Sequence, residues 1–272
     1  FFNYISIMKK DLYFMGDTHG NHKQIIYYIK SRKITNAVIF HVGDFGIGFK
    51  TYERDVEDLI SLNELLKDKG VMMYVIRGNH DNKIFFNGEY VYDNLKLVED
   101  YTVVEVNNKK VLMVGGALSI DRTSRQIANL DNIEIGREER YYWPTEVFVL
   151  NEEKLAEIKD IDIVVTHTSP SFAYPTNIGG YPPIVMEYST VDKTLLTELD
   201  AERELVSKFW ELVKVNNKPN FYYYGHFHSS NEENIMNGYD FTTKFTCLGI
   251  AELKFHEDYS DYEKELNDKY GS

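Results

Sequence analysis

"MGDTHGNHKQI" occupies residues 15–25, and the turn inside it decides what the rest of the chain must be. An aromatic, alternating run, "DLYFMGD" (11–17), stops at Asp17, and His19 follows two positions later. The alternation reads as a strand. The next segment, "HKQIIYYIKSRK" (22–33), carries apolar residues at helical spacing. An Asp and a His at a strand-to-helix turn are too few for chemistry alone. They acquire meaning only if other strand ends supply partners.

Working outward, "NAVIFHVGD" (36–44) reads as a buried strand and "TYERDVEDLISLNELLKDKG" (51–70) as an amphipathic helix stopped by Gly70. "VMMYVIRGN" (71–79) reads as a third strand. Alternating strands and helices, with the strands apolar on both faces, predict an α/β layered fold. The pattern then changes. Residues 96–119 read as strands around an "NNKK" turn, 145–159 as a helix with an acidic face, and 160–167 as another strand. Residues 168–184 hold four of the six prolines and read as an ordered loop, followed by the longest helical pattern at 191–215. "NFYYYGHFH" (220–228) and a hairpin over 234–250 around Asn237-Gly238 complete the chain. With no repeat, low-complexity tract or linker, one domain is expected over 8–256. Residues 1–7 are read as an extension before Met8, and 257–272 as an acidic tail.

The composition narrows the function classes. A chain of 272 residues that is 43% hydrophobic has a core large enough to fold without disulfides. Cys247 is its single cysteine, which fits a reducing, cytoplasmic setting. No stretch approaches the roughly 20 apolar residues of a membrane span. The net charge of −13 comes with no basic stripe, so duplex nucleic acid is not an expected partner.

The unusual residues sit at strand ends. Asp17 and His19 follow the first strand, Asp44 ("GDFG") the second, and Asn79, His80 and Asp81 ("GNHD") the third. His167 ("THTSP") follows a later strand, and His226 and His228 ("GHFH") follow "NFYYY". In open α/β sheets the crevice outside the carboxyl ends of the strands gathers such residues. Carboxylate, imidazole and one amide, without thiolate, suit a pair of divalent or trivalent cations. Manganese comes first, with iron, zinc or nickel as alternatives. Two such ions clamp the attacking and leaving oxygens of a displacement at phosphorus.

The ordered set D-x-H, G-D, G-N-H-D, a lone His and G-H-x-H resembles the calcineurin-like metallophosphoesterase superfamily, from residue 17 to 228. The resemblance implies a four-layer α/β/β/α sandwich of two mixed sheets flanked by helices, with the metals at one strand edge. It also implies roles. Asp17, His19 and His228 are ligands of one metal, Asn79, His167 and His226 of the other, and Asp44 is the bridge. His80 contacts the phosphate and protonates the leaving alkoxide after attack by a metal-bridging hydroxide, and Asp81 orients His80. Asn79 stands in substrate reach.

The chain departs from the protein Ser/Thr phosphatase branch. It reads "GDFGIGFKTYE" where that branch has G-D-x-V-D-R-G, and the phosphate-gripping Arg is missing. Arg122 and Arg125 of "SIDRTSR" (119–125) are candidate replacements, or Arg122 pairs structurally with Asp121. Arg77 is read as structural, and His41 as a core or supporting histidine. The insert 168–215, with Tyr174, Tyr181, Pro182 and Pro183, is a substrate-pocket cover whose aromatics stack on a base, a plain cover, or a dimer interface. The substrate expected is a small phosphorylated molecule, a nucleotide among the options, as a phosphatase or a small-nucleotide phosphodiesterase. A protein phosphatase, a nuclease and a catalytically silent scaffold of the same fold are the alternatives. Oligomeric state is not legible.

Overall fold

A computed structural model describes residues 9–137, 140–176, 179–239 and 241–257. The expected extension 1–7 lies outside these residues, as does all of the expected tail beyond Glu257. The first sheet is built from β1 (Asp11–Met15), β2 (Ala37–His41), β3 (Val71–Val75), β4 (Leu95–Leu97) and β11 (Leu253–Phe255), in the order β11-β1-β2-β3-β4. The second takes β5 (Thr102–Val106), β6 (Lys109–Val114), β7 (Ile163–Thr166), β8 (Phe221–Tyr224), β9 (Asn231–Asn237) and β10 (Phe241–Cys247), in the order β5-β6-β7-β8-β10-β9. Both sheets are mixed. β1 to β4 run parallel with β11 antiparallel, and β6, β7, β8 and β10 run parallel with antiparallel strands at both edges.

Side-chain alternation builds the layers. Leu12, Phe14, Val38 and Phe40 point between the sheets, where they meet Val111, Met113, Ile163, Val165 and Tyr223. Phe14 and Tyr223 stack across this interface at 3.6 Å between ring centroids. The intervening residues face outward. Met15, Ala37 and Ile39 pack on α1 (His22–Ser31) and α2 (Tyr52–Lys69) through Ile25, Ile29, Leu59, Leu62 and Leu66. Leu112, Val164, Tyr222 and Tyr224 pack on α6 (Leu195–Asn216) through Val206, Phe209, Trp210 and Val213. The result is the expected helix–sheet–sheet–helix sandwich.

Three readings change. The helix expected over 145–159 is only α4 (Glu152–Glu157), after a single 3₁₀ turn at Pro144–Glu146. Glu146 is buried there, and its Oε1 accepts the Ser119 amide, a tie a continuous surface helix would not make. The loop after β6 opens instead into α3 (Arg122–Glu134). The proline-rich segment carries a short helix, α5 (Pro183–Ser189), before α6. The "NNKK" turn joins β5 to β6, with Asn107 and Asn108 both in the left-handed region.

Candidate metal and phosphoester site

The turns after β1, β2, β3, β7 and β8 meet at one edge of the sandwich. Thr18 and His19 donate their amides to the Asp44 carbonyl at 3.0 and 2.8 Å, so the first two turns lock together. His19, Asp44, His226 and His228 all hold positive φ, between 46° and 69°. For residues other than glycine this costs about 1–3 kcal/mol each, and it clusters where a site over-determines the backbone. The motif glycines admit the acids. A Cβ on Gly78 would lie 2.1 Å from Asp44 Oδ1, and one on Gly225 would lie 2.1 Å from Asp17 Oδ1. Gly-Asn-His and Gly-His-x-His therefore need glycine for close approach.

Two groups of donor atoms result. Asp17, His19, Asp44 and His228 each offer a ligand atom, and these lie within 4.8 Å of one another. His19 Nε2 faces His228 Nε2 at 2.9 Å, and Asp17 Oδ2 lies 3.5 Å from His228 Nε2. On the other side, Asn79 Oδ1 lies 2.9 Å from both His167 Nε2 and His226 Nδ1. Asp44 touches both groups, with Oδ1 3.2 Å from His167 Nε2 and Oδ2 3.9 Å from His19 Nδ1. His80 donates its amide to Asp44 Oδ1 at 2.7 Å, and its ring packs edge-on against His19.

The electrostatics describe two buried acids competing for positive charge. Burial pushes Asp17 well above the usual carboxylate range. Burial also disfavours charge on Asp44, but His167, His80 and His19 outweigh it and hold Asp44 well below that range. Burial alone would lower His167, yet the Asp44 carboxylate beside it raises it to about 9. That proton is one a bound cation has to displace. Burial lowers His80, against the opposing pull of the Asp44 carboxylate.

The supporting residues are not all where the sequence suggested. Asp81 does not orient the His80 ring. Its carboxylate accepts the backbone amides of Phe45, Gly46, Ile47 and Gly78 at 2.7 to 3.2 Å, and so fixes the turn that carries Asp44. Arg122 is bound to Asp192 at 2.5 Å, Glu198 and Thr194, and not to Asp121. Arg125 is buried and reaches the Asn79 carbonyl at 3.1 Å, Ser119 and Glu146. It props the turn that carries Asn79. Asn79 donates its amide to Ser119 Oγ at 2.9 Å, so its side chain is fixed from both ends. Arg77 is structural as expected, holding Asp100 and the carbonyls of residues 145–147. His41 is buried and bonds Thr18 Oγ1 at 3.0 Å.

A cleft of about 450 Å³ opens over Asp44, Asn79, His80, His226 and His228. Its opposite wall comes from the insert, through Pro175, Tyr181, Pro182, Val185 and Tyr188. Tyr174 and Pro183 do not line it, and Tyr174 packs against the sheet-and-helix core.

The sequence model described as calcineurin-like phosphoesterase matches residues 11–230 of this chain. The chain belongs to the calcineurin-like phosphoesterase family. No curated protein matches it. Similar solved structures include a Thermotoga maritima protein determined by NMR, 13% identical at a TM-score of 0.35 over 91% of this chain and 97% of that one. A Streptococcus pneumoniae predicted phosphoesterase is 12% identical at a TM-score of 0.30, over 90% of this chain and 75% of that one. A cold-active protein-tyrosine phosphatase of a psychrophilic Shewanella is 13% identical at a TM-score of 0.36, over 92% of this chain and 76% of that one.

In this family member the donor set fits divalent cations. Asp17 Oδ1 is buried with no hydrogen-bond partner among the described residues, which is costly unless a cation meets it. Imidazole nitrogens that face each other across 2.9 Å, beside two carboxylates, are arranged to share a positive centre. No helix among the described residues is long and apolar enough to cross a membrane.

The sequence reading missed Ser119, Glu146 and Arg203. Ser119 and Glu146 act only through contacts that the fold creates. Arg203 left a signal: it interrupts the apolar stripe of α6 at helical spacing from Leu199, Val206 and Trp210.

Proposed function

We propose that this phosphoesterase hydrolyses small phosphate monoesters or small nucleotide diesters at a two-cation site. Asp17, His19 and His228 would hold one cation, Asn79, His167 and His226 the other, and Asp44 both. The observation that carries this reading is that the two oxygens of Asp44 address the two donor groups separately. When bound, the cations would acidify a water and offset charge on the phosphoryl oxygens. The rest falls to the chain. Water loses one proton to solvent as its oxygen bonds phosphorus, the ester P–O bond breaks on the opposite side, and the departing oxygen takes a proton from protonated His80, which solvent then restores. The His80 amide is tied to Asp44, which sets the ring at the cleft floor beside the donor groups. Asp81 and Arg125 position the turns that carry Asp44 and Asn79, and neither exchanges protons with substrate. The net charge of −13 and a cleft of about 450 Å³ favour a small substrate over a polynucleotide.

The test is hydrolysis of 4-nitrophenyl phosphate against bis(4-nitrophenyl) phosphate after metal is stripped and manganese restored. Metal-dependent turnover is expected, and the preferred ester separates phosphatase from phosphodiesterase. A fully metal-loaded protein that cleaves neither ester nor any nucleotide would replace this reading with a silent scaffold.

A further inference from the structure

Arg203 is a buried cation that forms no ion pair among the described residues. It sits on the inner stripe of α6 and is 4% exposed. Its Nη2 donates to the carbonyls of Pro170 and Ala173, both at 2.8 Å. Its guanidinium lies over the Phe227 ring at 5.0 Å, and its Nε is buried with no hydrogen-bond partner. Among the described residues no carboxylate forms an ion pair with it. The adjacent Glu202 is turned toward the amides of Phe148 and Leu118. A guanidinium withdrawn from water without an anion is unfavourable.

An anion has a way in. Arg203 lines the same cleft as Asp44, Asn79, His80, His226 and His228. Phe227, on which it rests, lies between His226 and His228 in the chain, and its ring is 5.0 Å from that of His226. Apart from Asp121 and Thr176, the rest of the wall is mainly apolar, with Ile120, Tyr181, Pro182, Val185, Tyr188 and Leu199 facing the cleft. A planar fork of donors facing an anion-binding floor suits phosphoryl oxygens.

We propose that Arg203 binds a phosphoryl oxygen of the substrate, and that the apolar wall receives its organic arm. The substrate class is then a phosphoester of an apolar or aromatic alcohol. The contact rests on the phosphoesterase reading and supplies the arginine that Arg122 and Arg125 do not. The oxygen belongs either to the reacting phosphoryl group or to a neighbouring phosphate on the same molecule.

The experiment compares wild type with Arg203→Met and Arg203→Lys. It reads KM and kcat for 4-nitrophenyl phosphate and for a nucleoside 5′-diphosphate, calorimetric binding of inorganic phosphate to the manganese-loaded protein, and melting temperature. Arg203→Met should raise KM, and the Kd for phosphate, by about 10- to 100-fold, the loss expected for a charge-assisted hydrogen bond. The kcat should stay within about threefold, because the contact is made in the ground state as well. Arg203→Lys should recover part of the loss. A rise with 4-nitrophenyl phosphate assigns the contact to the reacting phosphoryl group. A rise confined to the diphosphate assigns it to the neighbouring one, and either upholds the proposal. Unchanged KM and phosphate Kd with a lowered melting temperature would overturn it, leaving Arg203 as a tie for the 168–176 loop. If Arg203→Met does not fold, Arg203→Lys carries the same comparison. If wild type cleaves neither ester, the phosphate Kd still decides the role of Arg203 while the phosphoesterase reading falls. Glycerol phosphate should show a higher KM than the aryl ester, and equal values would overturn the apolar-arm assignment.

Discussion

At the floor of the cleft, backbone holds the site. Left-handed turns at His19, Asp44, His226 and His228, and glycines at 78 and 225 that admit a carboxylate, fix each donor one to four residues past a strand end. Across the cleft, the insert is held by side chains. Arg122 grips Asp192 and Glu198, Tyr181 bonds Asp200, and Arg203 bonds Pro170 and Ala173. The floor is over-determined, so substitutions there act all or none. The cover rests on exchangeable polar ties, so changes there tune which substrate fits. On the proposed function, chemistry belongs to the first region and selectivity to the second.

Asp44→Asn should break the floor most severely. Replacing the carboxylate that faces both donor groups should cost at least about 10³-fold in turnover and lower metal occupancy. Wild-type rates in that variant would refute the shared-ligand role. His80→Ala should leave metal content intact and cost about 10²- to 10⁴-fold, with the greater loss on esters of poor leaving groups. Equal losses on good and poor leaving groups would remove His80 as the proton donor. Arg125→Met should sharpen the line between floor and support. It leaves Glu146 buried without its partner and frees the Asn79 turn, so a loss of about 10-fold in kcat is expected along with a lower melting temperature. An unchanged kcat would make Arg125 purely structural.

The smallest effect on activity is expected beneath the cover. Burial raises Glu202 to about 7, against an unfolded value near that of free glutamate. Its folded pKa is the higher one, so the native state keeps a proton that the unfolded chain has already released. Stability should therefore fall as pH rises from about 4.5 toward 7, by at most about 3 kcal/mol. Glu202→Gln should flatten that slope in denaturant titrations while leaving kcat unchanged. A slope identical to wild type would assign the pH dependence elsewhere.

How much of this could be read in advance follows the same division. The floor was legible because its chemistry is local: each donor stands at the mouth of an apolar run, and the runs alternate strongly. The two-sheet sandwich was legible for the same reason, Leu12 and Phe14 facing one way and Tyr13 and Met15 the other. Helix α3 was not. It buries Arg125, Asn129 and Asn132 and exposes Ile127, Leu130 and Ile133, the inverse of the pattern an amphipathic helix is recognised by. With α3 unseen, Arg122 and Arg125 read as free cations near a strand end. In the fold, one is captured by acids seventy residues on and the other by a buried glutamate. The resemblance gave Asp81 the task of orienting His80, while in the fold its carboxylate accepts four backbone amides.

The central claim is that two cations share Asp44. Calorimetric titration of metal-free protein with manganese, repeated on Asp44→Asn, tests it most directly. Two bound ions per chain are expected for wild type, with both weakened in the variant. A single site, or two sites indifferent to Asp44→Asn, would contradict it.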